Sequence, residues 1–226
     1  MNMFLLHGKA RPWFLVPVVV LVVCLIGASA LVERALAEED ESETLGMLQS
    51  KLELSDEQTE QMGAVMEKYA AEMEATLAKH ENEEEPDPAA MIGDIKKVRN
   101  AYREELKKIL SKEQYEGYLA IVDAVLTEMM TDVAEIRLMD IQPKCTLTDE
   151  QVEQLAPIMG SGMLDIVRLL FENADQKLTM PKKVKLGKAL KSIQSDMDKQ
   201  INTVLTEEQQ KAYAAYKEAQ KEEQKG

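Results

Sequence analysis

One five-residue string occurs four times in this chain: Leu-Ser-Asp-Glu-Gln at 54–58, Leu-Ser-Lys-Glu-Gln at 110–114, Leu-Thr-Asp-Glu-Gln at 147–151 and Leu-Thr-Glu-Glu-Gln at 205–209. Each has the chemistry of a helix start. Ser55, Ser111, Thr148 and Thr206 suit the N-cap, and Gln58, Gln114, Gln151 and Gln209, three residues on, reach back to the N-cap amide and close a capping box. The acids between them favour the positive end of the helix dipole. Leu54, Leu110, Leu147 and Leu205 stand just before the caps, where a hydrophobic staple onto the first turn is expected, as for Leu110 with Tyr115 and Leu147 with Val152.

The spacing of the strings limits the architecture further. The first and third lie 93 residues apart and the second and fourth 95 apart, so the array reads as two copies of one unit rather than four equal repeats. The flanks keep the same register. Ile95, Val98, Tyr102, Leu106 and Ile109 before the second string align with Leu190, Ile193, Met197, Ile201 and Val204 before the fourth, and both sets follow the spacing of one helical stripe. Met62, Val65 and Met66 align in the same way with Leu155, Ile158 and Met159. This pattern predicts helices over roughly 55–80, 88–109, 112–140, 148–175, 181–204 and 207–223. Pro143 is expected to interrupt the helical pattern between a first unit at 44–142 and a second at 143–226. Pro157, Gly160 and Gly162 are expected to bend the first helix of the second unit, as simple curvature or as a hinge.

Composition agrees with an all-α protein and removes most catalytic classes. Aromatics make up 4%, with 10 Gly and 7 Pro. The net charge of −14 argues against nucleic acid as a partner, because phosphates call for a basic footprint. The two histidines, His7 and His80, supply no His-rich metal site, and no phosphate-binding loop is present, so neither an enzyme nor a cofactor is expected.

Residues 1–37 read as an export segment: His7, Lys9 and Arg11 precede an apolar run from Trp13 to Val32. Small residues offer cleavage after Ala28-Ser29-Ala30 or Ala35-Leu36-Ala37, while residues 13–32 are also long enough to stay in a bilayer as a signal anchor. Either way the acidic body faces a periplasmic or other extracytoplasmic space. Removing Lys9, Arg11, Arg34 and Glu33 with the leader takes the net charge from −14 to −16. Cys145 then remains alone, a half-buried spectator or a partner in an intermolecular bridge.

The four strings, with their helix-capping role and the apolar residue before each second-of-pair motif (Ile109-Leu110-Ser111 and Val204-Leu205-Thr206), resemble the Spy/CpxP family, the LTXXQ-motif proteins of the bacterial periplasm. The resemblance covers about residues 52–122 and 145–217. It implies a small all-α domain of antiparallel hairpins, and an ATP-independent chaperone, an envelope-stress adaptor or a metal-resistance relative. Family members are cradle-shaped dimers of one unit each, so a tandem copy in one chain implies that the two halves pack as an intramolecular pseudo-dimer. The oligomeric state is left open. The function expected is a chaperone-like hold on unfolded or partly folded envelope proteins. The alternative is a stress or metal sensor that binds a partner or cation through the acidic tip at 81–88.

Two sets of residues are candidates for client contact. Met62, Met66 and Met73 share one helical face, where flexible thioethers would fit varied apolar partners, although the same spacing is that of a core stripe. Copper ligation by these thioethers is a weaker alternative. Lys182, Lys183 and Lys185 stand in an acid-free stretch between Asp175 and Asp196: a solvated helix end, a patch that steers acidic clients, or one that draws the acidic tip of another molecule.

Overall fold

The computed structural model describes residues 41–81, 87–174 and 179–223, and every regular element among them is a helix. They are α1 (Glu41–Leu52), α2 (Asp56–Glu81), α3 (Pro88–Ile109), α4 (Lys112–Cys145), α5 (Asp149–Ala174), α6 (Met180–Val204) and α7 (Glu207–Glu223). The expected export segment, including the apolar run 13–32, and most of the acidic tip lie outside the described residues.

The helices form two antiparallel hairpins, α2 with α3 and α5 with α6, bound together by the long α4. At about 1.5 Å per residue its 34 residues span about 50 Å. Its beginning packs on α1 and α3, and the rest runs against α5 and α7. One core gathers Leu48, Leu52, Leu54, Met62, Met66, Leu106, Leu110 and Tyr118. Moved by the 93- and 95-residue offsets, these positions become Ile141, Cys145, Leu147, Leu155, Met159, Ile201, Leu205 and Tyr213, which all belong to a second core.

Between the two cores the halves meet along α4 and α5. Leu126 and Met130 of α4 pack with Leu164 and Val167 of α5. Phe171, near the end of α5, is 1% exposed among Met73, Ile92 and Ile95 of the first hairpin. Arg99 lies over its ring and bonds Glu172, while Arg168 pairs with Asp123. One helix among those described, α5, is long and apolar enough to cross a membrane; here it lies between α4 and α6.

The expected bounds hold to within a residue or two, with three differences. A helix, α1, precedes the first string, because Leu45, Leu48 and Leu52 give it an apolar face on the first core. Helix α4 continues through Pro143 to Cys145, so a boundary at 142/143 falls inside its last turn. The ring removes one backbone donor, while buried Ile141 and Cys145 on either side hold that turn against the second core. Residues 134–145 thus pack with the second half, as α1 packs with the first. Third, α5 is one continuous helix through Pro157, and its glycines serve contact. A Cβ on Gly160 would come within 2.7 Å of the Thr131 amide nitrogen, and one on Gly162 within 2.6 Å of the Met197 sulfur. The backbones of α4 and α5 approach closely at Gly160 because nothing projects between them.

Candidate functional site

All four strings begin helices, and all four capping boxes are closed. The amides of Gln58, Gln114, Gln151 and Gln209 bond the hydroxyl oxygens of Ser55, Ser111, Thr148 and Thr206 at 3.1–3.3 Å. In return each glutamine Oε1 accepts its own N-cap amide at 2.9–3.1 Å.

The glutamines also do something that a capping box does not require. Gln58 Nε2 donates to the Ile109 carbonyl and to Gln114 Oε1, both at 2.9 Å. Gln114 Nε2 reaches back to the Leu52 carbonyl at 3.3 Å and to Gln58 Oε1 at 3.3 Å. The second half repeats the arrangement: Gln151 Nε2 donates to the Val204 carbonyl and Gln209 Oε1, and Gln209 Nε2 to the Thr146 carbonyl and Gln151 Oε1, at 2.9–3.0 Å. Each pair of helix starts is clasped by two side-chain amides, and each glutamine also takes an orphan carbonyl from the end of the helix preceding its partner. A glutamate could close the box, but it has no N–H to give. Glu53 and Thr146, just before the first and third strings, adopt left-handed backbone with φ of 52° and 53°. These clasps carry no reactive group and are structural.

The methionines are a correction to the client-contact reading. Met62, Met66 and Met73 are 0%, 4% and 5% exposed, because the stripe they form is the face that α2 turns to the core. They offer no surface to a client or to copper. Cys145 is likewise fully enclosed, and burial pushes its thiol up from the ordinary value, which argues against an intermolecular bridge.

Lys182, Lys183 and Lys185 do lie on the surface, on the first two turns of α6. The apolar residues beside them went unnoticed in the sequence. Met180 and Val184 are 72% and 54% exposed, and with Lys188 and Lys191 they follow at i, i+4, i+8 and i+11, one exposed strip of the helix. Gly187 opens onto empty space. The stripe that does face α5, formed by Leu186, Leu190, Ile193 and Met197, is only half-buried; Ile201 alone is enclosed. The available signal was that Met180 and Val184 fall outside that stripe.

A second exposed apolar pair lies on α4. Ile136 and Met139, 68% and 69% exposed, are in line with Asp132, Asp140 and Pro143. Two ionisable groups elsewhere are tied into packing. Asp94 takes Lys79 at 2.8 Å, Lys97 at 2.7 Å and His80 at 3.3 Å, and the Lys79 bond above all holds its carboxyl well below the usual range. Tyr213 is pushed up to about 12, chiefly by burial and then by Asp198. No group of three or more His, Cys, Asp or Glu that could hold a metal occurs among the described residues.

A family described as a domain of unknown function (DUF4890) matches residues 35–118, which span α1 to the start of α4 and contain the first pair of strings. No curated protein and no solved structure matches the chain.

Proposed function

We propose that this is an exported, non-enzymatic binding protein that holds unfolded or partly folded envelope proteins without ATP, and that its two halves are a tandem duplication of one Spy/CpxP-like unit. The observation that carries the reading is the one-sided burial of α6. A long helix with a half-covered apolar stripe, two exposed apolar side chains and a run of lysines has the composition needed to meet flexible, acidic, partly apolar chains. Lysines steer the encounter, and apolar contact holds what arrives. The four paired strings and their capping boxes support the kinship to the family.

Light scattering by a denatured acidic test protein, with and without equimolar purified protein, tests this. Suppressed scattering is expected, and Lys182→Glu, Lys183→Glu and Lys185→Glu together should slow capture, with the defect shrinking as salt rises over the range in which exposed charges are screened. Unchanged scattering at low and high salt would end the chaperone reading.

A further inference from the structure

Among the described residues the large hydrophobics left exposed are Ile136, Met139, Met180 and Val184, and they fall on two strips only. One runs along α4 and the other along α6. On α4 the apolar pair is bordered by Glu128, Asp132 and Glu135, with Asp140 beside it taking Lys144 at 3.5 Å. On α6 the pair is bordered by Lys183, Lys188 and Lys191. Both strips are straight, extend over about three turns and carry apolar side chains at helical spacing. They match in length and shape and are opposite in charge.

We propose that these strips dock against one another between two copies of the chain: α6 of one copy lies on α4 of the next, Met180 and Val184 against Ile136 and Met139, with lysines facing acids on the border. A surface of net charge −14 gives a basic strip many acidic neighbours in any second copy. The α4 strip is the one that also offers apolar contact. Such an interface uses charge to set the partner and register, and apolar burial to retain it. Docking covers the strip on which clients are proposed to be held, so a second copy and a client compete for it.

The test uses two differently tagged full-length copies in one cell, in a Cys24→Ser background, one with Ile136→Cys and the other with Val184→Cys, treated with a short bismaleimide. A mixed-tag dimer is expected from this pair, with little product from two Ile136→Cys copies or two Val184→Cys copies. Changing Lys183, Lys188 and Lys191 to Glu on the Val184→Cys copy should lower the yield about tenfold. Changing Glu128, Asp132 and Glu135 to Lys on the other copy should then restore it. That restoration also shows that the charge-reversed chains are folded. The proposal is overturned if no mixed dimer forms, if all three pairings cross-link equally, or if charge reversal leaves the yield unchanged. A lysine-dependent shift of the full chain onto anionic phosphatidylglycerol vesicles, without the mixed dimer, would assign the α6 strip to lipid and equally overturn it.

Discussion

Helices α3 and α6 occupy corresponding places in their halves and begin from the same apolar pattern, yet the molecule treats them differently. Around α3, the hairpin partner α2 covers one flank while α5 and α4 close others, so that Ile95 and Leu106 are 0% exposed and Tyr102 is 5% exposed. Around α6 the chief neighbour is α5, and Leu190, Ile193 and Met197 stay half-open. The cause lies in the order of the chain rather than in composition. The first hairpin is followed by another whose α5 delivers Phe171 onto it, whereas α7, the described helix after the second hairpin, packs on α4. A repeated sequence therefore produces unequal surfaces, and the uncovered one is the lysine-rich one.

The sharpest way to break this comparison is a matched pair of truncations. Ile95→Ala should cost about 2–5 kcal/mol, as for a fully enclosed side chain, whereas Leu190→Ala at the corresponding position should cost about 1 kcal/mol or less. Urea unfolding of both variants decides it, and equal losses would mean that α6 is covered as fully as α3. Next in size are the clasps and the close approach. Gln114→Glu, and Gln209→Glu in the other half, keep the N-cap acceptor and lose the amide donors, at a cost of about 1–3 kcal/mol. Similar losses in both halves would show that the clasps act alike, and a neutral result in either would restrict the glutamine to its capping role there.

Glycines give a smaller, two-signed contrast. Gly160→Ala should destabilise by about 1–3 kcal/mol, because its methyl meets backbone. Gly187→Ala, on the open part of α6, should stabilise by about 0.5–1 kcal/mol through helix propensity. Thermal melts at a dilution where single chains prevail read both, and a destabilising Gly187→Ala there would place another part of the same chain against that strip.

The smallest effects separate the halves by pH. In the first half the Asp94 carboxyl is held below its ordinary 3.8 by Lys79 and Lys97, so its contribution is present above that pH and fades as pH falls below it. Asp94→Asn should cost about 1 kcal/mol or less at pH 7, and the difference from the unmodified protein should shrink steadily as pH falls below 3.8. In the second half Tyr213 is raised from 10.0 to about 12, so the stability it contributes is present below pH 10 and is lost as pH climbs toward 12. Tyr213→Phe should flatten that alkaline limb in unfolding curves taken from pH 9 to 12.

Much of the fold could be read from local signals. The four capping boxes follow from Ser or Thr and Gln at fixed spacing, and the helix limits follow from those caps and from Pro88 and Pro181. What escaped depended on contacts distant in sequence. The second role of the glutamines needs helix starts 56 and 58 residues apart to meet. The fate of the methionines turned on which side of α2 would be covered, and spacing alone does not distinguish a core stripe from a binding stripe. Helix α1 had a signal in Leu45, Leu48 and Leu52 that lay outside the repeated strings. Pro143 misled because a rule about helix interiors was applied to a last turn held by packing. For the candidate site, the lysines were visible as a run, while Met180, Val184, Ile136 and Met139 stood out only once neighbouring helices showed what was left uncovered.

Helix α4 belongs to both halves, and this restricts how such a chain can change by insertion and deletion. Each residue added to or removed from a continuous helix turns everything beyond it by 100° and shifts it by about 1.5 Å. A single-residue change between Leu126 and Ala134 would swing the second core round the axis of α4 and carry Phe171 away from Ile92 and Ile95. Seven residues, almost two full turns, leave an error of only about 20°. Length variation in descendants of this chain should therefore appear within α4 only in steps close to seven.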